Sequence, residues 1–440
     1  MQPGGERLLR MAIGPGGEHR YHVAGDPGLP RYGAGLPDGG AGCPGPADAR
    51  LLRKSLALIE PQSGKFMAHF FATLFVRNPE LRAMFPLTLG ESGKRVFGAL
   101  TRCAWSLDQP DSLARWLGEL GRDHRKFGVT GQHYRLFCDA LLASLQAFCG
   151  PAWSERIDGA WERALTAVTA AMTAGAAASG MAGAGAMAGT GAMAGASEGG
   201  GEPAWWLAEV VEHDLRRPDL AVLALRPDQP LPYLAGQHVS VQVPRWPRLW
   251  REYSIAGAPA PDGLLRLHVR AVPGGGVSTA LVHQTRAGGT VVLGRARGEM
   301  TAASVRSPQV VGVAGGTGLA PVKAIAEALT SPARPRPRPA VLLFFGARTS
   351  ADLYDLPDLR RLAGARPSLT VIPVVSDEPG YTGLTGPVAE AAVARLPPGT
   401  GDIVVSGPPG MVARAAQLAA AALPAARLHT DPLPGGSRPL

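Results

Sequence analysis

Between about Ala49 and Met172 apolar residues recur at intervals of three and four, as in Leu51-Leu52-Leu56-Ile59, Phe66-Phe70-Leu74-Phe75, Leu113-Leu117-Leu120 and Phe137-Leu141-Leu142-Leu145-Phe148. That period predicts amphipathic helices packed on one another, punctuated by Pro79 and Pro86. Beyond about Trp205 the pattern changes. Gln309 to Ala314 is a short apolar run that predicts a buried strand, and Val322 to Leu329 predicts the helix that follows a glycine turn. Two stretches lack either period. Residues 1–47 are rich in Gly and Pro and predict disorder, and His19 and His22 there read as solvated tail. Residues 174–203 are largely Ala, Gly and Met, with Gly185-Ala186-Met187-Ala188-Gly189 echoed at 191–195, and predict a flexible tether.

Chemistry enters with Arg251-Glu252-Tyr253-Ser254. A flavin needs an aromatic face on its ring, a hydroxyl near its reactive nitrogen and a cation on its diphosphate; Tyr253, Ser254 and Arg251 offer these in turn. Alternation along a strand puts Arg251 and Tyr253 on one face and Ser254 on the other, so the trio needs an edge or a bend. The turn Gly315-Gly316-Thr317-Gly318-Leu319-Ala320-Pro321 lets backbone N–H groups approach a diphosphate at a helix N-terminus, and Ser406-Gly407-Pro408 supplies a second turn downstream. The spacing differs from G-x-G-x-x-G, so the implied nucleotide fold is not the common dehydrogenase one.

In this order the motifs resemble the ferredoxin reductase-like module, an FAD-binding barrel followed by a nicotinamide-binding α/β domain, over about Trp205 to Leu433. The resemblance extends to Tyr233–Gln237 as the turn into the barrel, to His268, Val269 and Arg270 as the strand after the flavin stack, and to Gly276-Val277-Ser278 as a phosphate-binding turn, with Ser278 capping the helix. Phe345–Arg348 and Asp352–Tyr354 resemble the segment bordering the adenosine half of the nicotinamide cofactor. Gln237, His268, Val269, Arg270, Gly276, Val277, Ser278 and Arg348 are therefore expected cofactor contacts. Arg348 could grip a 2′-phosphate, but the Gly-Ala-Arg string is similar to that of NADH-using members.

The helical region has the size of a globin, although periodicity alone leaves a generic bundle open. His69-Phe70-Phe71, Asn78–Arg82 and Met84-Phe85 resemble the second helix and corner of bacterial globins, with Phe85 packing on haem. Asp123-His124-Arg125-Lys126-Phe127-Gly128 resembles the proximal-ligand helix, and Tyr134 follows His124 as a proximal-side tyrosine does. His124 is then the expected axial ligand to iron, ahead of His69 and His133.

A globin ahead of such a reductase resembles the flavohaemoglobins. The resemblance implies electron flow from NADH through FAD to haem b, with oxygen bound by ferrous iron and nitric oxide oxidised to nitrate; NADPH and an external electron acceptor stay open. Ser254 and Tyr134 are the residues it places closest to the chemistry. Four departures qualify it. Phe71 stands where the family places a distal tyrosine, Glu91-Ser92-Gly93-Lys94 lacks the distal glutamine, and the late-helix glutamate falls near Ala176. The aromatic residue that shields the flavin in relatives falls at Leu433.

The remaining composition narrows the class. The formal charge of +9 comes mostly from arginines spread along the chain, which argues against a nucleic-acid footprint. Cys43, Cys103, Cys138 and Cys149 have neither zinc nor iron-sulfur spacing, and the three beyond Cys43 sit in helical patterns and read as small buried hydrophobes. No uninterrupted apolar stretch spans a bilayer and no signal-peptide core is present, so a cytoplasmic enzyme is expected. The expected order is an N-terminal extension (1–47), an all-α globin (48–173), a linker (174–203), an antiparallel β-barrel for FAD (204–305), an α/β nicotinamide-binding domain (306–433) and a tail (434–440). A reductase with a different acceptor, or a globin gas sensor regulating an attached reductase, are the alternatives.

Overall fold

The computed structural model describes residues 44–181 and 202–430. The extension before residue 44, Cys43, the repeats of the expected tether and Leu433 fall outside the described residues.

The three-and-four pattern becomes six helices: α1 (Pro46–Ile59), α2 (Ser63–Arg77), α3 (Gly90–Ser106), α4 (Pro110–His124), α5 (Gly131–Cys149) and α6 (Glu155–Met181). Phe66, Phe70 and Leu74 of α2 meet Leu141 and Leu145 of α5 in a core that also buries Leu52, Leu56 and Trp161. Polar groups drawn into it are paired, as burial requires. Trp161 Nε1 donates to Ser55 Oγ at 3.0 Å, and Asp48 accepts both the Gly45 N–H and the Arg163 guanidinium, tying the start of α1 to α6.

Helix α6 corrects one expected boundary. The tether was expected from residue 174, yet the helix runs on to Met181. Alanine favours helix, and Gly175 is buried by contact rather than left to solvent. An added Cβ on Gly121 would sit 1.9 Å from the Met172 carbonyl oxygen, and one on Gly175 would sit 2.2 Å from that of Gly118. Small residues thus let α4 and α6 cross backbone to backbone, and that packing offsets the poor helix propensity of glycine.

A six-stranded antiparallel sheet follows, built from β1 (Trp206–Arg217), β2 (Leu220–Pro227), β3 (His238–Gln242), β4 (Arg251–Ser254), β5 (Leu265–Arg270) and β6 (Thr290–Leu293), in the order β4-β3-β6-β1-β2-β5. A bridge between Ile255 and Leu267 joins the end of β4 to β5, so the sheet curls to near closure. Its interior is filled by Leu223, Val239, Val241, Leu267, Val269 and Leu293, and α7 (Gly276–His283) plugs it with Val277 and Leu281.

The last domain is a parallel sheet of β7 (Gln309–Gly315), β8 (Ala340–Ala347), β9 (Leu369–Val375), β10 (Leu384–Thr385), β11 (Asp402–Ser406) and β12 (Arg427–Thr430), ordered β10-β9-β8-β7-β11-β12. Helices α8 (Leu319–Leu329), α9 (Leu356–Gly364), α10 (Val388–Val393) and α11 (Pro409–Ala422) cover it. The order reverses direction at β7, and both glycine turns leave the carboxyl ends of the adjacent strands β7 and β11. Such a switch point forms a crevice for nucleotide.

A polar seam joins barrel to sheet. Arg216 of β1 donates to Asp358, Lys323 of α8 donates to Asp355 at 2.7 Å, and the His268 imidazole lies 2.8 Å from the Tyr354 hydroxyl.

Candidate functional site

His124 closes α4 at its C-terminal end. Its Nδ1 lies 3.2 Å from the Tyr134 hydroxyl, and the two rings are nearly parallel. Burial pushes the imidazole down to about 4, so it is neutral, and pushes the Tyr134 phenol up to about 12. A neutral imidazole held through Nδ1 presents Nε2 as a ligand nitrogen, which is the donor haem iron requires. The alternative histidines are engaged otherwise: His69 Nδ1 lies 3.1 Å from Ser144 Oγ, and His133 Nδ1 accepts the Thr130 N–H that starts α5. Phe71 packs against Phe75 and Phe85, with Gly93 of α3 close beside it. Phe85, Val96, Phe97, Leu136 and Phe137 stay half-buried against the core, a surplus of apolar surface that suits a porphyrin.

The flavin motif lies on β4, an edge strand paired only with β3 in the ladder, Val239 opposite Tyr253 and His238 opposite Ser254. The edge position and the bridge at Ile255 meet the need for an edge or a bend. Arg251 donates to the Trp250 carbonyl at 3.0 Å and pairs with no carboxylate among the described residues, which leaves a cation for a diphosphate. Burial raises the Tyr253 phenol well above its ordinary value.

Several expected contacts are corrected here. His268 is 4% exposed and turned to Tyr354, because alternation along β5 sends it away from the barrel and into the seam. Tyr354 therefore borders the barrel rather than an adenosine. Val269 and Val277 have their side chains inside the barrel core and offer a ligand only backbone. The Gln237 amide is consumed by the Leu234 N–H and the Gly298 carbonyl, holding the turn. Ser278 does not cap α7: Gly275 is the N-cap, and Ser278 Oγ accepts the Val272 N–H at 3.1 Å. Gly276 does open the helix, under the Trp246 indole. Arg270 lies 3.6 Å from Asp219.

The nicotinamide turns are brought together as expected. Gly316 turns at φ +55°, and a Cβ on Gly318 would sit 2.4 Å from both the Ser406 carbonyl oxygen and the Gly407 nitrogen. Gly315, Gly316, Thr317 and Gly318 thus interlock with Ser406, Gly407 and Pro408, and the N-termini of α8 and α11 open side by side. Pro321 is buried in the first turn of α8, shaping the helix rather than facing a ligand. Arg348 is exposed and donates to Asp377 at 2.9 Å.

The motifs did not disclose how α4 meets the barrel. Lys126 Nζ donates to Asp123 Oδ1 and to Ser240 Oγ of β3, both at 2.8 Å, and Arg297 reaches Asp123 at 3.4 Å and Glu252 of β4. Burial would raise Asp123, but Arg297 and Lys126 hold it below the usual carboxylate range. Charged residues flanking His124 and Tyr253 were the signal, legible only once both segments are in place.

Comparison with known proteins agrees with this layout. Three family models match: Globin over residues 68–172, Oxidoreductase FAD-binding domain over 208–301 and Oxidoreductase NAD-binding domain over 313–417. A xylene/toluene monooxygenase electron transfer component of Pseudomonas putida is 36% identical over 44% of this chain and 55% of its own length. An aromatic O-demethylase reductase subunit of Amycolatopsis is 38% identical over 42% of this chain, also 55% of its own. The chain thus spans about half the length of these reductases. A flavohemoprotein of Bordetella pertussis is 27% identical over 64% of this chain and 71% of its own length. The crystal structure of a flavohemoglobin from Malassezia yamatoensis, with bound FAD and heme, superposes with a TM-score of 0.68 at 16% identity, over 88% of this chain and 99% of that one, which shows a shared fold. No helix among the described residues is long and apolar enough to cross a membrane. With a globin, an FAD-binding and an NAD-binding domain following one another in that order, the chain has the domain architecture of the flavohemoproteins it resembles.

Proposed function

We propose that this chain carries electrons from NADH through FAD to a globin haem and uses the reduced haem in oxygen chemistry, with nitric oxide oxidised to nitrate. The observation that carries the reading is the contact of the end of α4 and the turn after it with the barrel, through Lys126 to Ser240 of β3 and through Arg297, which bridges Asp123 of α4 to Glu252 of β4. The helix that bears the expected iron ligand is thereby packed on the strands that bear the expected flavin contacts.

When bound, FAD accepts a hydride and yields electrons singly, and haem iron binds diatomic gases. The protein supplies the geometry. The turns around Gly316 and Gly407 would cradle the nicotinamide diphosphate with backbone N–H groups and two helix N-termini. Arg251 would neutralise the flavin diphosphate, Tyr253 would stack on the ring system, and the Ser254 hydroxyl would serve the nitrogen that receives hydride. Tyr134 holds the His124 ring through Nδ1, so that Nε2 would be the nitrogen offered to haem iron, while Phe71 and Phe85 would supply apolar surface to the haem. The Arg348–Asp377 pair favours NADH, since the carboxylate opposes a 2′-phosphate. A cytoplasmic setting, where NADH is supplied, suits this activity.

An absorption spectrum of the purified protein under anaerobic conditions, before and after NADH, tests the reading. Haem and flavin bands should both be present, and NADH should bleach the flavin and shift the Soret band to its ferrous position. Flavin bleaching with an unmoved Soret band would overturn electron flow to haem. That result would favour a different acceptor, a reading supported by the likeness of the reductase half to oxygenase electron transfer components.

A further inference from the structure

The turn that follows α4, Arg125–Phe127, meets the flavin barrel through an aromatic ring as well as a charge. The Phe127 ring stands edge-on to the His124 imidazole, with 6.1 Å between centroids, and edge-on to the Trp250 indole at 6.2 Å. Trp250 is 7% exposed, and the next residue, Arg251, opens the strand that carries Tyr253. Lys126 Nζ sits 4.9 Å from the centre of the same indole while donating to Asp123 and Ser240. Among the described residues no other ring contact joins the helical module to the barrel.

We propose that Phe127 and Trp250 are the crossing point for electrons, positioning residues that set the approach of flavin to haem and fill the space between them. The inference rests on the electron-transfer reading above and names the route that reading leaves open. NADH gives the flavin a hydride, hence two electrons. These would leave one at a time, the first to the chain's single ferric haem and the second once that haem has been reoxidised by oxygen, and the protons of the reduced flavin would pass to solvent. Electronic coupling falls steeply across empty space and less steeply through packed matter, so two rings in contact serve better than a solvent-filled gap. The cation over Trp250, anchored to Asp123 on one side and Ser240 on the other, holds the rings in register. A chain of aliphatic side chains of smaller volume would leave a void and let the surfaces shift, and misplacement of reacting partners by about an ångström costs up to roughly a hundredfold in rate.

The test uses the full chain loaded with both cofactors in anaerobic stopped flow, following flavin bleaching and the Soret shift separately after NADH. Phe127→Leu should leave flavin bleaching at the parent rate and slow haem reduction by roughly tenfold or more. Trp250→Leu should slow haem reduction similarly, and the aromatic replacements Phe127→Tyr and Trp250→Phe should restore most of the rate. Docking is read independently, by hydrogen exchange at the C-terminal turn of α4 in cofactor-free protein. Retained protection in Phe127→Leu with slowed haem reduction is the expected pair. Parent-like haem reduction in both leucine variants would overturn the crossing point while leaving electron flow to haem intact. Equal slowing in leucine and aromatic replacements would also overturn it. A parent chain whose haem NADH never reduces would fail the electron-transfer reading itself and remove the proposal with it.

Discussion

Gly175 lies so close to Gly118 that a Cβ on the former would sit 2.2 Å from the carbonyl oxygen of the latter. The contact sets α6 against α4, the helix that ends in His124. The barrier to a side chain there is backbone, which cannot swing aside. Gly175→Ala and Gly121→Ala should each push the helices apart and cost about 1–3 kcal/mol, as overpacking does. The check is the first thermal transition followed by tryptophan fluorescence, which should fall in both variants; an unchanged midpoint would show that the helices part freely.

His124→Ala should abolish the Soret band of protein purified at its natural haem loading while flavin absorbance persists. Tyr134→Phe should retain haem, since it removes an orienting hydroxyl rather than the ligand nitrogen, and should alter the ferrous spectrum. An unchanged haem spectrum in His124→Ala would place the ligand elsewhere.

Arg251 is the cation on β4 that pairs with no carboxylate among the described residues. Its replacement by Ala should cost about 1.5–3 kcal/mol of FAD binding, the worth of a charge-assisted contact. Calorimetric titration of flavin-free protein reads this directly. Ser254→Ala should retain FAD and slow flavin reduction by NADH.

Phe71 brings no hydroxyl to the distal side, where a charge-assisted hydrogen bond is worth about 1.5–3 kcal/mol. Oxygen should therefore leave the ferrous protein roughly ten- to a hundredfold faster than it leaves Phe71→Tyr. Stopped-flow displacement of oxygen measures both rates. Equal rates would mean that the ring at this position is spent wholly on Phe75 and Phe85.

Asp402 is fully buried at the start of β11. Burial alone would raise its carboxyl, but hydrogen bonds from Arg427, His429 and the backbone N–H groups of Ser307 and Arg306 hold it far below the ordinary carboxylate range. A depressed folded-state value means that the stabilisation is complete above the unfolded value of about 3.9 and is lost as pH falls below it toward the folded one. Acid should thus loosen the nicotinamide domain only below about pH 4 through this group. Asp402→Asn should lower stability at neutral pH, by weakening the hydrogen bonds that Arg427, His429 and the Ser307 and Arg306 N–H groups donate to the buried carboxylate, and should flatten the acid limb of the stability profile. Chemical denaturation at several pH values decides the sign.

By itself the sequence determined the three domains, because each leaves a local signal: helical periodicity over Leu51 to Phe148, a flavin motif at Arg251 to Ser254, and glycine turns at Gly315 and Gly407. It also singled out His124 with Tyr134, since their spacing is a short-range property that α4, a turn and α5 convert into a 3.2 Å contact. Tertiary structure decided what depends on distant segments. His268 and Gln237 had the right neighbours in sequence, yet Tyr354 and Gly298 claimed them, because a buried polar group is satisfied by whatever the fold places beside it. Gly175 looked like tether and became helix once Gly118 lay against it. The contact of Phe127 and Lys126 with Trp250 and Ser240 joins residues more than a hundred positions apart, and no local pattern records which face of α4 the barrel covers.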